Sequence, residues 1–352
     1  MRGRCPRPLD ERAGDIQFTG TLISATAVAP GIRRISVPLP LALRAVNAYL
    51  VEGPHGWALV DTGLHTEDGE RVLRQGVRDA GIDLADVRRV FVTHVHPDHI
   101  GMAGTLEAAG AEIVMHGPEA DHARVLWFGG NELVEDAYRW FLRHGMPPDV
   151  DEGMREAWLG IGRLVDPIGR IAPVEDGDVI DMAGRRMRVI WTPGHTDFHA
   201  VLYEEATETL LAGDHVLPRI TSNISLYPWS RPDPLGDFLG ALRAVRKLRV
   251  RRALPAHGDP IDDLAGRVDE LLEHHAARLE ATVDVLRDRE RDAYAVCRAL
   301  FPVLRNAHEE RFALGEALAH LRHLDRLGRV EEVPGSPVRW RATTARRNAA
   351  AT

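Results

Sequence analysis

The stretch Thr93-His94-Val95-His96-Pro97-Asp98-His99 follows directly on the apolar run Val90-Phe91-Val92. A short apolar run of this kind predicts a buried strand, so the ligand-type side chains stand where a strand passes into a loop. His94 and His96 are two residues apart, which aims both imidazoles at one point, while the next turn aims Asp98 and His99 at a neighbouring point. Imidazole and carboxylate suit zinc, and also iron or manganese. With 17 histidines some pairs arise by chance, but this density predicts a metal site.

The composition is that of a globular protein. A chain of 352 residues exceeds one average domain, so two domains are expected, and an apolar share of 44% is ample for a core. The net charge of −8 gives no overall attraction to nucleic acid or to an acidic membrane. No apolar run is long enough to span a bilayer, and the N-terminal residues lack the apolar core of a signal peptide. The two cysteines, Cys5 and Cys297, form no disulfide framework, so a cytoplasmic location without membrane association is expected.

Strand and helix signals alternate through the first half of the chain. Helical spacing is predicted over Glu67–Ala80 and Gly101–Ala109, around a strand that ends at Val92 and before the strand Ile113–Met115. The earlier apolar runs predict a β-meander over Gly20–Ala29, Ile32–Val37, Val46–Val51 and Trp57–Val60. This alternation favours an α/β architecture.

Three later apolar runs also end in a small turn that carries a His or an Asp. The turns are Gly194-His195-Thr196, Gly213-Asp214-His215 and Ala256-His257-Gly258. Each is weak alone, since such dipeptides commonly form ordinary turns, but strand-end loops are where α/β folds gather functional groups. Asp61, in the turn Asp61-Thr62-Gly63, is favoured as a residue that orients a metal ligand from behind rather than as a ligand itself.

Two further segments have their own character. Residues 118–168 concentrate large aromatic side chains in a chain that is only 6% aromatic. The segment is interpreted as a helical insert that buries these side chains; the alternative is an apolar wall or lid over the metal loops.

Leu264–Leu286 predicts a long amphipathic helix, which either packs on the core or forms a homodimer interface. The helices Ala293–Phe301 and Ala313–Leu327 and the hairpin Val330–Trp340 then resemble a winged helix.

The strand-end motifs together resemble the metallo-β-lactamase superfamily. Its pattern T-H-x-H-x-D-H, then G-H-T, then G-D, then a late H-G occurs here in the family's order, over about residues 17–262. The resemblance implies an αββα sandwich with both metals at one edge of the two sheets. It also implies a first metal on His94, His96 and His195, a second on Asp98, His99 and His257, and Asp214 as a bridge. A full ligand set favours a dinuclear hydrolase over the mononuclear-iron persulfide dioxygenases of the same fold.

The implied chemistry uses two zinc ions per chain, with iron or manganese as alternatives. Two metals about 3.5–4 Å apart share a water and bring its pKa towards about 7, so that a metal-bound hydroxide attacks the substrate. Asp98 and Asp214 are the predicted catalytic residues. The segment Ile220–Pro228 resembles that of the family members with an appended winged-helix domain, a group that includes a mitochondrial endoribonuclease and many bacterial hydrolases. Asn223 and Tyr227 are therefore candidate substrate contacts, with loop packing as the alternative.

The predicted organisation has five parts. They are an N-terminal extension (1–16), a catalytic domain (17–262, with the insert 118–168), a connecting helix (263–291), a winged-helix-like domain (292–342) and a tail (343–352).

Hydrolysis of a small-molecule ester or thioester with an apolar acyl part, similar to glyoxalase II in chemistry, is the favoured function. The alternatives are an endoribonuclease or phosphodiesterase, supported by the winged-helix-like unit and the basic run 243–252, a lactamase-type amide hydrolase, and a metal-stabilised structural protein. Nucleic acid is the less favoured partner, because acidic residues accompany the arginines of residues 292–342.

Overall fold

The computed structural model describes residues 25–40 and 43–343. The predicted N-terminal extension 1–16, Cys5, the start of the first predicted strand at Gly20 and the tail beyond Thr343 lie outside the described residues. Among the described residues, no helix combines the length and the apolar character that crossing a bilayer requires.

The first sheet has seven strands in the order of the chain. They are β1 (Thr26–Ala29), β2 (Ile32–Pro38), β3 (Ala45–Gly53), β4 (Gly56–Val60), β5 (Val87–Val92), β6 (Glu112–His116) and β7 (Ile171–Val174). Strands β1 to β4 form the predicted antiparallel meander, and β4 to β7 pair in parallel. Parallel pairs require crossover connections, and those here are largely helical.

The second sheet has five strands in the order β12-β11-β10-β9-β8. They are β8 (Val179–Met182), β9 (Arg185–Trp191), β10 (Ala200–Glu204), β11 (Thr209–Gly213) and β12 (Arg252–Pro255). Only β11 and β12 pair in parallel. The carboxyl ends of β11 and β12 therefore lie side by side, which brings the G-D and H-G turns together.

The two sheets pack face to face through a shared apolar layer. Tyr49, Phe91 and Val114 of the first sheet share one buried cluster with Val189 and Leu202 of the second. Alternate residues of the same strands, such as Leu50 and Val201, belong instead to a second cluster that includes the helices. Because successive side chains of a strand point to opposite faces, each sheet is buried on both sides, as an αββα sandwich requires.

Ten α-helices are present in the described part of the chain. They are α1 (Glu67–Asp79), α2 (Pro97–Ile100), α3 (Ala103–Ala108), α4 (Gly117–Phe128), α5 (Glu132–Arg143), α6 (Pro148–Gly162), α7 (Pro234–Val245), α8 (Leu264–Val285), α9 (Ala293–Leu300) and α10 (Ala307–Arg326). Helices α1, α3 and α4 pack on the first sheet, and α6 packs against α5 and α10. The α/β sandwich expected from the motifs is confirmed.

Helices α4 to α6 account for most of the aromatic-rich segment 118–168. Phe141, Met154 and Trp158 are buried, whereas Trp127 is partly buried against the same core. The C-terminal residues form α9, α10 and a sheet of β13 (Arg291–Asp292), β15 (Arg339–Ala342) and β14 (Val330–Val333), in that order. The limits of the domains and the winged-helix assignment stay predictions.

Several predicted boundaries were wrong. The helix predicted over Gly101–Ala109 is present as α3, but the separate short helix α2 before it was not predicted; its proline suits the first turn of a helix and removes a donor that would have no partner there. Helix α10 begins at Ala307 rather than Ala313, since the Asn306 side chain accepts a hydrogen bond from the Glu309 amide and caps it. Strand β7 was not predicted, because the short run Ile171–Val174 contains a proline.

Candidate metal centre

The predicted motifs converge where strands of both sheets end. Asp61 follows β4, the stretch from Thr93 follows β5, Gly194-His195-Thr196 follows β9, Asp214 follows β11 and His257 follows β12. A parallel pair on each sheet, β4 with β5 and β11 with β12, carries its carboxyl ends to this edge. The αββα arrangement thus places side chains far apart in the chain around one groove.

A first group comprises His94, His96 and His195. One ligand atom from each of the three lies within 4.8 Å of the others. The ring centres of His96 and His195 are 4.6 Å apart, and that of His94 is 4.7 Å from His96. Three imidazoles at this separation can surround a single divalent cation.

A second group comprises Asp98, His99 and His257. His257 Nε2 lies 3.4 Å and His99 Nε2 lies 3.7 Å from Asp98 Oδ2. Their ligand atoms also lie within 4.8 Å of one another. This mixed nitrogen and oxygen set is a second place where a cation fits.

Asp214 lies between the two groups. Its Oδ2 is 3.4 Å from His195 Nε2, whereas its Oδ1 is 3.5 Å from His257 Nε2 and 3.7 Å from His99 Nε2. Each carboxylate oxygen thus faces a different group, which is the geometry a bridging ligand needs.

The inward-facing ring nitrogens lack hydrogen-bond partners. The Nε2 atoms of His94, His99, His195 and His257, together with Asp214 Oδ1, are buried and find no hydrogen-bond partner among residues 25–40 and 43–343. A buried polar group without a partner costs about 1–3 kcal/mol, so five converging atoms of this kind are anomalous for a packed core. Divalent metal ions would satisfy all of them, and the donor set therefore fits such ions.

The outer ring nitrogens, by contrast, are all engaged. His94 Nδ1 lies 3.0 Å from Thr93 Oγ1, His99 Nδ1 lies 2.8 Å from Asp61 Oδ2, and the Nδ1 atoms of His195 and His257 lie 2.8 Å from the carbonyls of Asn223 and Ala45. Such bonds fix the ring orientation and the tautomer that leaves Nε2 free to bind a metal.

Asp61 lies beside the second ligand group, and its role as a support for a metal ligand stays a prediction. Its carboxylate accepts from the Thr93 amide at 2.8 Å and the Thr93 hydroxyl at 3.0 Å, and it contacts His99 Nδ1. Its backbone has a φ of 58°, a left-handed conformation that an ordinary side chain adopts only when its surroundings require it. The conformation turns the carboxylate behind the ligand groups, where it contacts His99 directly and reaches His94 through the Thr93 hydroxyl.

The pKa values of the ligand-type histidines also fit a metal site. Burial lowers the pKa of His94 and His96 well below the usual value, so both rings are neutral, the form that binds a metal. Burial also acts to lower the pKa of His99, but Asp61, Asp98 and Asp214 outweigh it and raise that pKa to about 10. Three carboxylates that converge on one imidazole create a negative potential here, which suits a divalent cation.

Several structural partners of the site were not identified from the sequence. Two side chains of helix α4 form hydrogen bonds with the backbone of Val95. The Glu119 carboxylate accepts from the Val95 amide at 2.9 Å, and Trp127 Nε1 donates to the Val95 carbonyl at 2.8 Å. Glu119 also accepts from the Thr196 hydroxyl at 2.7 Å and so ties the two histidine loops together. No sequence pattern marks Glu119, because its role depends on tertiary packing.

His199 is a further buried histidine that the motif analysis passed over. Its Nε2 accepts from the Asp214 amide at 3.2 Å, so its Nδ1 carries the proton and donates to Thr192 Oγ1 at 2.8 Å. Its position four residues after His195, at the start of β10, was the available signal. A side chain on Gly213 would come within 2.7 Å of this ring, and the φ of Gly213 is +49°, which explains the glycine there.

Asn223 and Tyr227 both border the site, in different ways. The Asn223 carbonyl binds His195, while its side-chain amide donates to the Phe312 carbonyl at 3.1 Å and to Glu316 Oε2 at 3.3 Å. Tyr227 stacks on Trp229 with ring centres 5.0 Å apart. The role of either residue as a substrate contact stays a prediction.

A cavity of about 290 Å³ opens beside the ligand groups. His96, Asp98, His195, Asp214 and His257 form its polar floor. Most of its remaining wall is apolar or aromatic and comes from α4, α6, the loop after β11 and α10, with the side chains Leu126, Trp127, Trp158, Ile161, Ile220, Tyr227, Trp229 and Phe312. The aromatic-rich segment thus lines the cavity as well as burying side chains of its own.

Comparison with known proteins identifies the class to which this fold and site belong. Residues 41–257 match the model of the metallo-beta-lactamase superfamily, and residues 279–344 match that of a metallo-beta-lactamase-like C-terminal domain. The chain belongs to the metallo-beta-lactamase superfamily, among its metallo-hydrolases.

Three individual relatives show how similar this chain is to known members of the superfamily. The structure of a metallo-beta-lactamase family protein from Thermus thermophilus is 37% identical, covers 90% of this chain and 100% of its own, and superposes with a TM-score of 0.82. The probable metallo-hydrolase YqjP of Bacillus subtilis is 28% identical over 279 residues, which is 77% of this chain and 85% of its own. The atrochrysone carboxyl ACP thioesterase of Aspergillus fumigatus is 24% identical over 245 residues, 70% of this chain and 45% of that protein.

Proposed function

We propose that this protein hydrolyses a thioester or ester with an apolar acyl part, at a centre of two divalent metal ions, zinc by preference. The observation that carries the proposal is a cluster of seven ligand-type side chains, five of which line the floor of a cavity whose walls are mainly apolar. His94, His96 and His195 would hold one ion, Asp98, His99 and His257 the other, and Asp214 both. Apolar walls with a few converging polar groups are typical of small-molecule sites.

Different residues of the protein would have different roles in the proposed hydrolysis. When bound, the metal ions would supply Lewis acidity to the scissile carbonyl and acidify a water molecule. Burial acts to raise the pKa of Asp98, but His99 and His257 hold it well below its usual value, so this carboxylate is ionised and can accept a hydrogen bond that orients the attacking water. Asp214 would keep the two ligand groups at a fixed separation. The aromatic wall would bind the acyl chain and exclude bulk water.

Thioesters are the preferred substrate class because of the relatives. One relative is named an ACP thioesterase, and its match covers 70% of this chain. A thioester also suits the site chemically, because its thiolate leaves without the general acid that an amine leaving group needs.

The contacts of the basic residues weaken the nucleic-acid alternative. In the run 243–252, Arg246 pairs with Asp269 at 2.6 Å, Arg249 with Glu208 at 2.8 Å and Arg252 with Asp262 at 2.8 Å. Within the C-terminal residues, Arg298 pairs with Glu310 and Arg329 with Glu280. Three of the six basic residues in the run 243–252 are thus paired with carboxylates, which reduces the positive charge that the run offers to a phosphate backbone.

A substrate panel tests the proposal. Zinc-loaded protein is assayed for thiol release from octanoyl-CoA, and in parallel with a p-nitrophenyl ester, a structured RNA and a β-lactam. We expect thioester turnover that His96→Ala reduces to the uncatalysed level, while His55→Ala, whose side chain is 71% exposed outside the cavity, stays at the wild-type rate. Turnover of the RNA or the lactam with none of the thioester or ester would overturn the proposal.

A further inference from the structure

An arginine of α10 projects into the cavity and is held between aromatic rings. The guanidinium carbon of Arg311 lies 4.3 Å from the centre of the Trp158 ring and 4.4 Å from that of Phe312. Its Nη1 donates to the Tyr227 hydroxyl at 3.0 Å. These three contacts fix the plane of the guanidinium at the wall of the cavity, whose lining includes both Arg311 and the metal-ligand residues.

No carboxylate neutralises this cation. Across residues 25–40 and 43–343, no acidic oxygen forms an ion pair with Arg311, in contrast to Arg322 on the same helix, which also lies over a tryptophan ring but pairs with Asp325 and Glu332. A guanidinium has five N–H donors, and Tyr227 takes one of them. A cation among aromatic rings has given up part of its hydration, which the rings repay only in part.

The neighbours of Arg311 in the cavity are also suited to an anion. His308 lies one turn earlier on α10 and lines the same space. Burial, together with the charge of Arg311, lowers the pKa of His308 to about 4, so its ring is neutral near pH 7 and offers one N–H donor. Three acidic side chains line the cavity: Asp98 and Asp214 face histidines, and Asp197 accepts a hydrogen bond from the Arg231 amide at 2.9 Å.

We propose that Arg311 binds an oxyanion group of the substrate, a carboxylate or a phosphate, which an apolar stretch separates from the scissile carbonyl. The inference rests on the proposed hydrolysis for the identity of the reacting group and adds the charge that the substrate carries elsewhere. The planar fork of a guanidinium matches both oxyanions bidentately, and the flanking rings hold it in the orientation to do so. The C-terminal unit would thereby select substrates by charge.

The competing interpretation is that Arg311 only braces α10 against α6 and the Tyr227 loop. A bracing residue would affect the binding of charged and neutral ligands equally, whereas an anion-binding residue would affect the charged ligand alone. The experiment therefore compares ligand pairs that differ in a single charged group.

Calorimetric titration of the zinc-loaded protein provides this comparison in two arms. The first arm pairs adipate, suberate and sebacate with their monomethyl esters, so that each ligand keeps one carboxylate for the metal centre. The second pairs 4′-phosphopantetheine with pantetheine, which separates a phosphate from an acyl carboxylate as the source of the anion. We expect the wild type to prefer the more highly charged member by about tenfold or more in one arm. Arg311→Gln should abolish this preference, and Arg322→Gln should retain it.

The results of the calorimetric titration can be distinguished from those of the activity assay. A wild type without a preference in either arm, or a preference that survives in Arg311→Gln, would overturn the assignment even if thioesters are hydrolysed. Conversely, a preference lost in Arg311→Gln supports it even if no thioester turns over. If Arg311→Gln does not fold, Arg311→Lys replaces it: a reduced preference supports the bidentate contact, and an unchanged one contradicts it.

Discussion

Individual residues of the site act mostly through other residues. Asp61 contacts neither the cavity nor another carboxylate, yet it connects the Thr93 backbone and hydroxyl to the ring of His99. The sequence predicts a supporting role for Asp61 from the strand that ends at Asp61-Thr62-Gly63. Glu119 and His199 were not predicted, since no motif marks a side chain whose partners are brought to it only by folding.

Replacing Asp61 with Asn tests this supporting role. Asn tolerates the left-handed backbone, but it offers one acceptor oxygen where the aspartate uses two. We expect the affinity of the metal held by Asp98, His99 and His257 to fall by about 10–100-fold, with a smaller effect on the other ion. Competition with a fluorescent chelator measures both. Asp79→Asn, at the exposed end of α1, is the control, and equal affinities in the two variants would refute the role of Asp61.

Glu316 gives a prediction for the dependence of stability on pH. Burial raises its pKa from 4.5 to about 7, although Arg278 and Asn223 oppose the shift. Between these values the unfolded chain releases the proton that the folded protein keeps, so the wild type loses stability as the pH rises through this range. Glu316→Gln removes that loss, and its stability relative to the wild type should increase from about pH 5 to about pH 8.

Urea denaturation at the two pH values measures this difference. Glu205→Gln, whose side chain is 73% exposed, is the matched control and should give the same difference from the wild type at both. A relative stability of Glu316→Gln that stays constant or decreases with pH would contradict the account.

At the scale of the elements, α10 is the helix that links the C-terminal unit to the site. Its Gly315 carbonyl accepts from the Leu226 amide at 3.0 Å, its Glu316 carboxylate accepts from Asn223, and its Arg311 reaches the cavity. The sequence predicted a helix here and began it six residues late, at Ala313. Its approach to the loop after β11 depends on tertiary packing, which helical periodicity does not report.

Gly315 tests how closely α10 must approach that loop. A Cβ at this position would lie 2.7 Å from Ser225 Cβ and 2.5 Å from its Oγ, whereas a Cβ at Gly240 of α7 would meet nothing within 4 Å. Alanine normally stabilises a helix interior relative to glycine by about 0.5–1 kcal/mol, and we expect this for Gly240→Ala. Gly315→Ala should instead destabilise by about 1–3 kcal/mol through overpacking. Denaturant midpoints measure both, and two substitutions of the same sign would disprove the close approach.

At the scale of the whole molecule, two large apolar clusters lead us to expect a fold that does not depend on the metal centre. One apolar cluster joins the two sheets, and another joins the sheets to the helices. The order of the motifs made the sandwich predictable, because metallo-β-lactamase-type motifs occur at strand ends. The shape of the cavity was not predictable, since its walls come from four separate segments of the chain.

Metal removal should therefore lower stability without unfolding the protein. When the free zinc concentration is one thousand times the dissociation constant of a site, binding at that site stabilises the folded protein by about 4 kcal/mol. We expect chelated protein to keep its far-ultraviolet circular dichroism at 25 °C and to melt at a lower temperature. A random-coil spectrum after chelation would favour a metal-stabilised structural protein instead.

The most direct test of the central claim is a zinc titration of the metal-free protein, with thiol release from octanoyl-CoA as the readout. The two ligand groups predict that activity develops as zinc is added and reaches its maximum at two equivalents per chain, and that His257→Ala never attains it. A protein that binds two zinc ions, remains folded and hydrolyses no thioester or ester would contradict the proposed activity; a plateau at one equivalent would contradict the dinuclear centre.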